Sequence, residues 1–176
     1  RQRVDRLFDI ASDPQQLLLS SASALLFDHA RTPETRFKRN VYYLKTPRVE
    51  ATLGSIKNKE IVLGSFTVKA KENGAIVLYS ADGEKINISK HMVLMAIGQV
   101  RNKNSGWDSH GVFNWGIAPT ELKKMDFSIR SSAEGKYKLS ELDPAGTPAK
   151  ELAVLSLGDP PYLNQGSETS WFEITL

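Results

Sequence analysis

The stretch Ile61-Val62-Leu63-Gly64-Ser65-Phe66-Thr67-Val68-Lys69-Ala70-Lys71-Glu72-Asn73-Gly74-Ala75-Ile76-Val77-Leu78-Tyr79-Ser80 sets the character of the chain. Along an extended backbone alternate side chains share a face, so Thr67, Lys69 and Lys71 point one way while Phe66, Val68 and Ala70 point the other, towards a core. β-Branched and aromatic runs flank Lys71-Glu72-Asn73-Gly74, and Asn-Gly tolerates the positive φ angles that a tight hairpin turn demands. Asp82-Gly83 repeats the device, which predicts a three-stranded meander over residues 61–88.

Working outward, residues 41–44 (Val-Tyr-Tyr-Leu) and 49–53 predict two more strands upstream. Downstream, Ser89 is a good helix cap, and Val93, Ala96, Ile97 and Val100 recur at helical spacing, which predicts a helix there. A glycine- and asparagine-rich loop over 102–106 leads to a strand at 112–117 and a short helix opening with Pro119. Strands are expected at 126–130, 136–139, 152–157 and 171–175. At the start of the chain Val4, Leu7, Phe8 and Ala11, and then Leu18, Ala22, Leu25 and Leu26, predict two helices. Asp13-Pro14 separates them, and the second ends near Thr32-Pro33. The sum is an α+β fold in one domain over 1–176: an N-terminal helical pair (1–36), then a mainly β part (37–176) whose antiparallel sheet carries one or two further helices.

The 176 residues are 40% hydrophobic and 24% charged, which suits one buried core and excludes a collagen-like or wholly disordered chain. No run approaches 18 uninterrupted apolar residues; the greasiest, 16–27, is broken by Ser20, Ser21 and Ser23. With no cysteine there is no disulfide framework, thiolate metal site or cysteine nucleophile. An opening Arg1 in place of Met leads to the expectation of a processed or excised piece.

The net charge of +3 hides a strong asymmetry. Residues 1–30 carry 3 basic and 4 acidic side chains, residues 31–103 carry 14 and 6, and residues 104–176 carry 6 and 10, so the basic charge is concentrated in the middle. Arg36, Lys38, Arg39, Lys45 and Arg48 are expected to join Lys57, Lys59, Lys69, Lys71, Lys85 and Lys90 in a cationic sheet face. Such a face suits nucleic acid phosphates, acidic lipid headgroups or an acidic protein. The plainer reading is a solvated face whose lysines discourage edge-to-edge pairing. A +8 middle and a −4 tail also suit charge complementarity within the fold or between copies, the latter fitting a self-assembling subunit.

Lys71-Glu72-Asn73-Gly74 resembles the Lys-x-Asp/Asn-Gly element of the RNA ligase and nucleotidyltransferase families. That resemblance implies a lysine that becomes covalently attached to a nucleotide; the chemistry of such a lysine calls for neighbouring cations to hold the phosphates, for which Lys69 and Lys85 are candidates, and the later elements of those families have no counterpart beyond a faint one at Glu134-Gly135-Lys136. Asp28-His29 and Asp108-Ser109-His110 pair carboxylates with imidazoles, though at no metal-ligand spacing. Trp107 and Trp115, eight residues apart beside glycines, offer flat rings to a sugar, a base or a partner chain, or else fill the core and cover the sheet edge. No nucleophile elbow, zincin pair, P-loop or dinucleotide fingerprint occurs. The expected function is a non-catalytic interaction or assembly module that holds an anionic partner, with no cofactor and no metal. Its partner-binding residues are Arg36, Lys38, Arg39, Lys45, Arg48, Lys57, Lys59, Lys69, Lys71, Trp107 and Trp115. The alternative is an enzyme nucleotidylated at Lys71.

Overall fold

The structure, a computed structural model, describes residues 34–38, 41–167 and 169–176. Fifteen strands run through them. In chain order they are β1 (Glu34–Lys38), β2 (Val41–Lys45), β3 (Val49–Gly54), β4 (Glu60–Leu63), β5 (Phe66–Ala70), β6 (Gly74–Ser80) and β7 (His91–Lys103). There follow β8 (Gly106–Trp107), β9 (Phe113–Asn114), β10 (Ile117–Lys124), β11 (Phe127–Ser131), β12 (Lys136–Leu142), β13 (Pro148–Ser156), β14 (Tyr162–Asn164) and β15 (Trp171–Thr175). One sheet of nine strands has the order β1-β2-β3-β6-β7-β15-β12-β13, with β10 alongside the second half of β7; a four-stranded sheet has the order β14-β11-β5-β4. Every ladder between named strands is antiparallel.

The expected α+β class is corrected by this architecture, because the described residues form antiparallel sheets and contain no helix. Residues 34–36, expected to close the helical pair, begin strand β1; the rest of that pair lies outside the described residues. The helix expected from Ser89 is β7, the longest strand. Met92-Val93-Leu94-Met95-Ala96-Ile97 is apolar at every position, so it satisfies helical spacing and a strand covered on both faces equally well. The helix expected at Pro119 is part of β10, where the Ala118–Pro119 peptide is cis.

The meander is also redrawn. β4 and β5 form the hairpin, turning at Gly64-Ser65, and Lys71–Gly74 instead carries the chain from the four-stranded sheet to the nine-stranded one. Gly74 is required there for close approach: a Cβ would strike the carbonyl oxygens of Ile97 and Gly98 on β7. The segment around Asp82-Gly83 connects β6 to β7 as a loop, and residues 85–88 form no strand.

The core follows from alternation. Phe66, Val68 and Ala70 of β5, Ile61 and Leu63 of β4, and Phe127 and Ile129 of β11 pack against Ile76, Leu78, Met92, Leu94, Ala96, Leu139, Phe172 and Ile174 of the large sheet. The layers meet edge-on at Phe66–Tyr137 and Phe127–Phe172, each with centroids 5.1 Å apart. At about 1.5–3 kcal/mol per fully buried large side chain, this interlayer packing is the main source of stability. The other face of the large sheet is apolar at its centre too, through Leu44, Val49, Ala51, Val77 and Met95. Glu50 faces the interlayer side, where the backbone N–H of Gly64 (2.8 Å) and the Nζ ammonium of Lys45 (3.2 Å) satisfy its buried carboxylate.

Replacing Gly74 by alanine is expected to cost about 2–3 kcal/mol, since the intruding Cβ meets backbone that cannot step aside. Gly83→Ala, at φ 80° with open space around it, is expected to cost only about 1–2 kcal/mol. Urea denaturation midpoints at unchanged m-value measure both, and equal losses would refute the close approach at Gly74.

Candidate functional site

The chain bends out of β3 at Gly54 and returns into β4 through residues 55–59, a loop fastened to the β5–β6 connection. Lys57 N–H donates to Asn73 Oδ1 (3.0 Å) and Asn58 N–H to the Ala70 carbonyl (2.8 Å). These bonds bring Lys57 and Lys59 beside the segment that carries Lys69 and Lys71. All four side chains are exposed and form no ion pair among the described residues. A third segment joins them: Lys71 N–H donates to the Asp126 carbonyl (2.9 Å), and Glu72 Oε2 accepts the Asp126 N–H (3.2 Å). Lys123 and Lys124 therefore arrive at the same end of the sandwich, with Lys123 at the limit of contact, 4.0 Å, from Glu72. By register Lys38 lies in the row Lys38–Val41–Gly54–Gly74, which ends on this same side of the large sheet.

The other cations singled out from the sequence lie elsewhere. Lys45 is neutralised by Glu50, and Arg48 sits in the β2–β3 turn, whose carbonyl accepts the Ser80 N–H at the opposite end of β6. Arg36 stands at the middle of edge strand β1, opposite Tyr43, and Arg39 lies outside the described residues. Lys85 and Lys90 belong to the loop between β6 and β7, near the Arg48 turn through the bond from Ile86 N–H to the Pro47 carbonyl. The structure thus places the described lysines of the basic middle in two groups at opposite ends of the large sheet, with Arg36 between them on its edge.

From the first end a ribbon extends. β6 leaves β7 at the Ala75–Ile97 pair, and beyond it β7 runs on with β10 as its partner, through Val100–Leu122, Arg101–Glu121 and Asn102–Thr120. All eight residues of β10 are exposed. The ribbon carries Arg101, Lys103, Lys123 and Lys124 against Glu121, and its tip is the short β8–β9 pair. There Trp115 is 76% exposed and packs edge-on against Phe113, with ring centroids 5.0 Å apart and planes at 84°. Trp115 sits in the turn after β9, outside the sandwich core, and its carbonyl accepts from Asn102 Nδ2. Trp107 lies on β8 opposite Phe113. Arg101, Lys103, Lys123 and Lys124 lie outside the partner-binding set expected from the sequence; the signal that brings them together is the run of strand-forming residues on both sides of the 102–106 loop, a hairpin pattern.

Lys71 is an exposed side chain in the crossing between sheets. Asp108 accepts the amides of His110 and Val112 within its own loop, and His91 pairs with Glu173 at 2.8 Å. His29 lies outside the described residues, and among those described no three metal-ligating side chains gather. No described helix is long and apolar enough to cross a membrane.

The chain matches no protein-family model, no curated protein and no solved structure. Its own geometry defines the class: a two-sheet antiparallel β-sandwich with a lysine-rich end and an aromatic-tipped ribbon.

At the far end one carboxylate organises the loop that carries Lys85 and Lys90. Slight desolvation pushes the Asp82 carboxyl up, but the Ser80 hydroxyl, the Lys90 amide, the Ser89 hydroxyl and the Glu84 amide together hold it well below the usual carboxylate range. A folded-state pKa below the unfolded value means that the stabilisation is complete above about pH 4 and is lost as pH falls through the folded pKa. Asp82→Asn is expected to cost on the order of 1 kcal/mol at pH 7, solvent screening having reduced it, and progressively less below pH 4. Thermal unfolding of both proteins across that range checks it; a difference independent of pH would refute the charged anchor.

Proposed function

We propose that the chain is a non-catalytic interaction module that holds single-stranded nucleic acid along its lysine-rich end and ribbon. The observation that carries this reading is the convergence of Lys57, Lys59, Lys69 and Lys71, without carboxylate partners among the described residues, on two mutually hydrogen-bonded segments. Unpaired exposed cations bind a phosphate backbone by releasing its counterions. Trp115, bare at the tip of a ribbon that itself carries Arg101 and Lys103, supplies the ring face on which an unpaired base stacks, and stacking is what distinguishes single strands from a merely anionic surface.

If four to six phosphates are engaged, the logarithm of the binding constant for a single-stranded oligonucleotide should fall with the logarithm of salt at a slope of about −3 to −4. Reversing Lys57, Lys59, Lys69 and Lys71 to glutamate is expected to weaken binding by more than tenfold, while reversing Lys45 and Arg48 changes it little. Trp115→Ala is expected to lose about 1–3 kcal/mol, the value of one stacked base. Fluorescence anisotropy against salt reads all three. Binding to anionic vesicles without binding to the oligonucleotide would overturn the nucleic acid reading in favour of a lipid surface. Incubation with labelled ATP or GTP should leave no acid-stable adduct; one that disappears in Lys71→Ala would establish the nucleotidylated enzyme instead.

A further inference from the structure

A second site of opposite character lies on the face of the large sheet that is turned away from the four-stranded one. Tyr79, Val93 and Glu173 stand side by side in one row across β6, β7 and β15, so their side chains emerge on the same face. Trp171 is two residues from Glu173 on β15 and His91 two residues from Val93 on β7, so both emerge on that face as well. The tip of the β12–β13 hairpin lies over this row, its strands interrupted by two register irregularities, and together they enclose a cleft of about 500 Å³. Asp143, in the tip, accepts the amides of Ala145 (2.9 Å) and Thr147 (2.8 Å) through one carboxylate oxygen, which makes the roof a defined turn.

The lining selects by charge. Asp143 and Glu173 are among its lining residues, and among the described residues no lysine or arginine lines it; the imidazole of His91 is engaged by Glu173 at 2.8 Å. Even with His91 protonated the lining is net negative, so phosphates and carboxylates are repelled. Tyr79, Trp171 and Val93 line the floor; aromatic side chains favour a cation over an anion, and the apolar surface rewards apolar groups. A primary ammonium would surrender its strong hydration on entering such a floor, whereas an alkylated one carries its charge behind methyl groups and gives up less. A volume of this size suits a small group or a single side chain.

We propose that this cleft binds an alkylated ammonium group, whether the headgroup of a small quaternary amine or the side chain of a methylated lysine. The site is independent of the lysine-rich end and does not rest on the nucleic acid reading. Choline and its uncharged isostere 3,3-dimethylbutan-1-ol are the discriminating probes, read from the Trp171 indole resonance of the labelled chain, assigned with Trp171→Phe. Choline is expected to shift that resonance saturably with a millimolar dissociation constant, at least about fivefold tighter than the isostere. Glu173→Gln and Tyr79→Leu are each expected to weaken choline binding by about fivefold or more, and Lys57→Glu to leave it unchanged; the remaining resonances of each variant report whether it is folded. Equal binding of charged and uncharged probes, no saturable shift in the millimolar range, or full choline affinity in both folded cleft variants would overturn the proposal. A peptide carrying trimethyllysine that binds tighter than choline would identify a modified protein as the source of the cation. Equal or weaker binding would identify a small amine or headgroup.

Discussion

β7 must be apolar on both faces, and most of the architecture follows from that constraint. Met92, Leu94 and Ala96 fill the space between the sheets, while Val93 and Met95 are buried on the opposite side. A strand covered on both faces needs neighbours on both edges, and β6 and β15 supply them over its first half. The interlayer core then closes around the strand, with the Phe127–Phe172 contact spanning the layers next to it. Where β6 ends, the same strand changes character: Gln99, Val100 and Arg101 are exposed, and with β10 it becomes the ribbon. One continuous strand thus passes from the most buried place in the molecule to an exposed one, and it ties the ribbon mechanically to the core.

The polar groups are arranged around this framework in three places, each with its own way of being held. Main-chain and amide hydrogen bonds clasp the loops that carry Lys57, Lys59 and Lys71 to one another and to Asp126, so cations from distant parts of the chain are kept together against their mutual repulsion. Asp82 does the equivalent work for the far loop as a single carboxylate that gathers hydroxyls and amides. The cleft over Tyr79, Val93 and Glu173 depends on strand pairing for its floor and on the turn at Asp143 for its roof. Positive and negative clusters therefore stand apart on one scaffold, and neither cancels the local field of the other.

Legibility in the sequence was uneven for physical reasons. β2, β3, β11 and β15 were recognisable because each is bounded by turn residues and mixes β-branched or aromatic side chains with polar ones. β7 was misread as a helix because complete burial erases the alternation on which a strand is recognised. Asn73-Gly74 has the composition of a hairpin turn, yet its glycine answers to the carbonyls of Ile97 and Gly98, more than twenty residues away. Lysine clustering was visible in the order of the chain, but which lysines share an end depended on pairing registers, which also brought in Lys123 and Lys124 from beyond the basic block.

The amino-acid order by itself determined a β-rich chain without disulfides, the inward set Phe66, Val68 and Ala70, and an excess of cations over residues 31–103, because composition and period-two alternation are local properties. Only the tertiary structure decided that Lys71–Gly74 crosses between sheets, that Trp115 stands in solvent while Trp171 lines a cleft, and that the lysines part into two groups. Those outcomes depend on which strands pair and in what register, and that choice is made by the collective burial of both sheets, which no short stretch of sequence contains.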